Sequence, residues 1–162
     1  DTLKLFITWT FGSLSSVGWE QMSVMAPVIA CGILTALLLQ KQLNILLLGK
    51  NYANGLGVSV PRLRLWIILA TALLAGTSTA FTGPIAFIGI TMPHVARGLF
   101  GSPNHRIILP ASMLCGAITL LVCDLISQLP GMQGTLPINA VTALFGSPII
   151  VWIILRNSYI NK

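Results

Sequence analysis

Charge in this chain is confined to a few short segments, and that confinement limits what the polypeptide can become. Lys41, Lys50, Arg62 and Arg64 form one basic group, Arg97 and Arg106 with His94 and His105 a second, and Arg156 and Lys162 a third. Lys4 stands apart near the start. No residue is charged between Glu20 and Lys41 or between Arg64 and Arg97, and only Asp124 is charged between Arg106 and Arg156. With 55% hydrophobic and 7% charged residues in 162, the apolar surface exceeds what one soluble core of this size can hide. Lipid must solvate the remainder, so membrane lipid is an expected partner. The net charge of +6 sits at the ends of apolar runs and not on a polar face, which argues for orientation in a bilayer and against nucleic acid.

Segment lengths set the number of crossings. Residues 21–42 hold one apolar run whose helical rise matches a hydrocarbon core of about 30 Å. The run over residues 65–96 would be about 48 Å long as one helix, too long for a single crossing. Thr82-Gly83-Pro84 interrupts it, because proline cannot continue a helix and glycine permits a turn. Two spans are predicted there, over 63–82 and 84–100. The stretch from Gln128 to Pro137 divides the last run into spans over 106–128 and 137–156. Five crossings result. Residues 1–20 are too short and too rich in Gly and Ser for a sixth, and read as an external or interfacial helix.

The positive-inside rule tests that count. With five spans the basic segments 41–64, 97–106 and 156–162 all fall on one side, and the uncharged turns at 82–84 and 128–137 fall on the other. The expectation is a multi-pass protein of the cytoplasmic (inner) membrane with its carboxy terminus in the cytoplasm. Cys31, Cys115 and Cys123 lie in apolar stretches without Cys-x-x-Cys spacing, which favours packing over disulfides or a metal site. The chain begins at Asp1 with no basic n-region of a signal peptide, so a piece of something longer is expected.

The 43–62 loop is longer than a connection requires. Leu43, Leu46 and Leu47, then Tyr52, Ala53 and Leu56, recur at helical spacing, with Gly49 as a break and Gly57 as a stop. Two short amphipathic helices are predicted. They serve either as a cover for lipid headgroups or as a docking platform for a partner.

Several short motifs follow one another in a recognisable order: Leu43-Asn44, Leu48-Gly49, Ala53, Leu56-Gly57-Val58, Arg62-Leu63-Arg64, Gly83-Pro84-Ile85-Ala86-Phe87-Ile88-Gly89, Pro93-His94-Val95-Ala96-Arg97, His105-Arg106, Leu109-Pro110, Leu136-Pro137-Ile138, Val141-Thr142-Ala143 and Gly146-Ser147-Pro148. Taken together they resemble the FecCD-like permease subunits of binding-protein-dependent ABC importers for iron-siderophore complexes, heme and cobalamin. The resemblance implies an all-α polytopic fold, of which this chain matches roughly the second half of a ten-helix permease. It implies cytoplasmic ATP-binding subunits, a second permease subunit and a periplasmic or lipid-anchored substrate-binding protein as partners. No cofactor, catalytic residue or resident metal is implied, and ATP hydrolysis would reside in the partners.

The resemblance also implies roles for single residues. The 43–58 segment would be a pair of coupling helices seated on the ATPase, with Leu48, Gly49, Lys50, Tyr52, Ala53, Leu56 and Gly57 at the contact. Lys50 stands where the family usually has an acid, and Asn54 where a base is common. Gly83 and Pro84 form a turn on the bare reading; the family reading makes them the opening of a short helix in which Gly89 and Pro93 allow close packing and bending. His94 and Arg97 are read as headgroup-level residues at the cytoplasmic edge, because metals require several convergent ligands.

Asp124 is the one carboxylate inside the spans, and an acid there needs a partner or a pathway. It faces either a transport path or a structural hydrogen bond from Ser127, Thr119 or the backbone. An ion-coupled secondary carrier built on Asp124 is therefore the alternative function. An intramembrane Ser/His enzyme lacks the Gly-x-Ser-x-Gly elbow, and no phosphate-cradling Gly-x-x-x-x-Gly-Lys-Ser/Thr motif is present. The sequence does not name the cargo.

Overall fold

The computed structural model describes residues 2–14, 17–128 and 137–160, with the side chains at 2, 4, 5, 8, 154 and 156–160 outside that description. Eight helices are formed among these residues: α1 (Thr2–Thr10), α2 (Trp19–Leu38), α3 (Gln40–Leu46), α4 (Lys50–Gly55), α5 (Val60–Thr82), α6 (Ile88–Phe100), α7 (His105–Ser127) and α8 (Ile138–Ile160). Residues 129–136 of the predicted turn, Arg156 and Lys162 as charged anchors, and the Lys4 side chain lie outside the described part.

Among the described residues α2, α5 and α7 are each long and apolar enough to cross a membrane, and α8 carries a further apolar stretch over Ile138–Ile153. Their outward faces are lined by exposed large apolar side chains such as Leu34, Leu38, Trp66, Ile68, Leu114, Leu121 and Trp152. Such a surface is stable against lipid or further apolar helices and not against water. The crossing predicted over 84–100 differs from expectation. Its helix is 13 residues long, about 20 Å of rise, short of the hydrocarbon thickness. Residues 83–87 are not helical, because Gly83 takes φ 77° and Phe87 takes φ 69°, conformations that end one helix and delay the next.

Boundaries elsewhere follow capping chemistry. Pro61 sits in the first turn of α5, where its missing N–H costs nothing. Gly101 closes α6 in the left-handed conformation, its N–H bonded to Arg97 O. The Asn104 side chain accepts from Arg106 N and starts α7. The first span ends earlier than predicted: α2 stops at Leu38, a single residue, Leu39, separates it from α3, and Lys41 and Gln42 belong to α3.

Packing forms two groups. α2 lies along α5, and α6, α7 and α8 pack on one another; α3 touches α7, and α4 touches α5. Small residues permit the closest approaches, as is usual where lipid removes the hydrophobic drive between helices. A Cβ on Gly32 would lie 2.7 Å from Leu74 Cγ, and one on Gly146 would lie 2.5 Å from Phe87 Cβ.

Candidate functional site

The α3–α4 segment folds as an elbow. Gly49, at φ 103°, separates the two helices, and Gly57, at φ 80°, ends the second with its N–H on Asn54 O while Val58 N–H reaches Ala53 O. Both turns use backbone conformations that a Cβ would strain. The elbow presents Leu47, Leu48, Tyr52 and Leu56 outward, each more than half exposed. Gly49, Lys50 and Gly57 are exposed beside them. Lys41, Arg62 and Arg64 are exposed in the adjoining first turns of α3 and α5. An apolar patch rimmed by cations has the chemistry of a surface that meets either lipid headgroups or a partner protein.

Ala53 departs from the predicted contact set. It is fully buried, so it seats α4 against the body of the protein and offers nothing to a partner.

The elbow is fastened to α7 by a network that the sequence did not announce. Asn44 Nδ2 donates to Asn104 Oδ1 at 2.7 Å, while Asn44 Oδ1 accepts from the His105 backbone N–H at 2.8 Å and faces His105 Nδ1 at 2.8 Å. Asn104 Oδ1 also accepts from Arg106 N at 3.0 Å, and Ser102 Oγ accepts from Asn104 N at 3.2 Å. The first N–H groups of a helix have no partners inside it. Here two of them are taken by Asn104 locally and by Asn44 from another helix. Asn104 ahead of an apolar run was readable as a cap; its link to a residue sixty positions earlier was not.

The other end of the bundle is stitched by backbone and amide groups. Trp9 Nε1 donates to Ala80 O at 3.3 Å, and Ser13 N donates to Thr82 O at 2.9 Å. Asn139, near the start of α8, accepts from Ala86 N at 3.0 Å and donates to Pro84 O at 2.6 Å and Thr10 O at 3.4 Å. Non-helical backbone persists in a membrane protein where such partners replace water.

The predicted hinge residues are thus separated by context. Gly83 is buried at φ 77°, and a Cβ there would collide with Trp9 O. Pro84 is held through its carbonyl by Asn139. Gly89 is exposed, and no atom of the described residues lies within 4 Å of a Cβ placed on it, so the close packing expected of it is not made inside this part of the protein. Gly146 has that role against Phe87. Pro93 lies half-buried within α6.

Asp124 lies in the last turn of α7, half-buried, where its Oδ2 accepts from Gln128 Nε2 at 2.7 Å. Gln128 was not among the expected partners, and the Thr119 hydroxyl is directed elsewhere, 2.8 Å from Cys115 O and 3.4 Å from Met92 Sδ. His94 and Arg97 are exposed on α6. His94 lines a cavity of about 370 Å³ with Val95, Gly98, Ile149 and Trp152. A second cavity, also about 370 Å³, lies among α6, α7 and α8 and contains Thr91, whose buried Oγ1 has no hydrogen-bond partner among the described residues.

Comparison with known proteins places this geometry. The chain is 41% identical over 158 residues to the vitamin B12 import system permease protein BtuC of Vibrio cholerae, covering 96% of this chain and 46% of that protein. It is 40% identical over 148 residues to the Fe(3+) dicitrate transport system permease protein FecC of Escherichia coli K12, covering 91% and 44%. A solved structure described as an inward-facing conformation of a metal-chelate type ABC transporter superposes with a TM-score of 0.86 at 30% identity, over 96% of this chain and 51% of that one. The chain therefore spans about half the length of the relatives it matches. The model of the FecCD transport family matches residues 1–156, and this all-α membrane chain belongs to that family.

Proposed function

We propose that the chain forms part of the membrane-spanning permease subunit of an ABC importer that carries a metal chelate or cobalamin-like cargo across the cytoplasmic membrane. The relatives named for vitamin B12 and ferric dicitrate support that cargo class. ATP hydrolysis belongs to separate cytoplasmic subunits, and the permease pairs with a second permease subunit and receives cargo from a substrate-binding protein. The basic groups set the elbow and the carboxy terminus on the cytoplasmic side.

One observation carries the reading: Leu47, Leu48, Tyr52 and Leu56 stand exposed on an elbow that is hydrogen-bonded to α7. A helix pair that merely covered headgroups has no need of a polar attachment to a spanning helix. The ion-coupled alternative is weakened by Asp124, whose carboxylate is engaged by Gln128 near a helix end.

The test uses the complete protein. Leu48→Asp and Tyr52→Asp bury a charge in the contact, which is expected to cost about 2 kcal/mol or more each. The ATP-binding subunits should no longer co-purify, while membrane insertion stays normal. Undiminished co-purification with both changes present would refute the assignment.

A further inference from the structure

α3 is joined to α2 through the single residue Leu39, but it reaches α7 without covalent continuity. Any displacement of the elbow passes to α2 through the chain and to the α6–α7–α8 group through what binds α3 to α7. The hydrogen bonds between those helices converge on one carboxamide. Asn44 Nδ2 is spent on Asn104 Oδ1, so the amide cannot flip without setting oxygen against oxygen and NH₂ against the His105 N–H. Its Oδ1 is therefore fixed toward His105, and the 2.8 Å contact to Nδ1 requires that ring nitrogen to carry the proton.

We propose that Asn44 and the Nδ1–H of His105 form a latch that transmits movement of the α3–α4 elbow to α7, and with it to the helices packed on α7. Both are positioning residues. The inference rests on the elbow being the ATPase contact and adds the route by which that contact moves a spanning helix. The backbone N–H of His105 secures the helix start, and the imidazole adds the directional bond that makes α3 and α7 move together.

The geometry separates the ring nitrogens. Asparagine places an N–H near the position of Nδ1, and glutamine places one near Nε2. His105→Asn therefore keeps the latch, and His105→Gln opens it with the Asn44–Asn104 and Asn44–backbone bonds left in place.

The experiment uses the complete permease reconstituted with its ATP-binding and substrate-binding subunits in liposomes, and reads cargo molecules imported per ATP hydrolysed. Asn44→Ala and His105→Gln should retain the ATP-binding subunits and hydrolyse ATP, with import per ATP reduced about tenfold, the scale of one lost buried hydrogen bond. His105→Asn should stay within about twofold of the unaltered protein. A merely structural role would lower assembly or thermal stability in step with import; the contrast between asparagine and glutamine identifies Nδ1 as the nitrogen involved. The latch is overturned if His105→Gln imports at the unaltered ratio, or if His105→Asn and His105→Gln are equally impaired. Failure of the unaltered permease to recruit ATP-binding subunits would instead sink the functional reading on which the latch depends.

Discussion

Asn139 Oδ1 accepts the Ala86 backbone N–H at 3.0 Å, so the first turn of α8 completes the hydrogen bonding of a segment that has left helical geometry. The same side chain holds Pro84 O at 2.6 Å. One amide thus supplies the partners that helical geometry no longer provides at the break between α5 and α6.

Removing that amide should be costly. Asn139→Ala strips the part-buried Pro84 carbonyl of its donor, at a cost of about 1–3 kcal/mol when unsatisfied, and leaves the exposed Ala86 N–H without its acceptor. Thermal unfolding of the complete protein in detergent should show a clear loss of stability. Asn139→Asp keeps the acceptor for Ala86 but sets a carboxylate oxygen against Pro84 O, so at neutral pH it should destabilise at least as much as Asn139→Ala.

Glycines on α6 and α8 should behave oppositely. Gly146→Ala places a Cβ 2.5 Å from Phe87 Cβ, and Phe87 is pinned by its own positive φ. A destabilisation of about 1–3 kcal/mol is expected from overpacking. Gly89→Ala meets open space and replaces glycine within a helix, so it should be neutral or stabilising by up to about 1 kcal/mol. Equal effects from the two changes would contradict the packing of α6 on α8.

Gly83→Ala should release α1. The added methyl collides with Trp9 O and must also adopt φ 77°, ψ 174°, a region essentially reserved to glycine that costs an L-residue about 1–3 kcal/mol before any clash is counted. Limited proteolysis should then cut between α1 and α2 faster than in the unaltered protein, and Trp9 fluorescence should report a changed environment.

Asp124→Asn should leave transport intact. An amide oxygen still accepts the Gln128 bond, and the carboxylate charge has no part in an ATP-driven cycle. Import that is abolished by this change and by an uncoupler, yet indifferent to ATP depletion, would point to an ion-coupled carrier.

Lys50 is exposed on the elbow. In intact cells an amine reagent that cannot cross membranes should fail to label it from outside and should label it after permeabilisation. Labelling from outside would invert the orientation and remove the ATPase contact with it.

Where the chain is apolar, where it turns and where its cations gather can be read from neighbouring residues alone, because those properties are local. Charge-free runs delimit apolar helices, Gly49 and Gly57 bound α4 through their own backbone freedom, and the ordered motifs carry the family resemblance. Tertiary structure decided which polar groups meet. Asn44 with His105 and Asn139 with Ala86 are separated by more than fifty residues in sequence, and asparagines in an apolar chain give no sign of their partners. The same holds for Ala53 and Gly89, whose burial and exposure depend on which helix face meets a neighbour. In lipid an unpaired amide is costly wherever it lies, so the pairing that satisfies it is chosen by the assembled bundle and not by the segment that carries it.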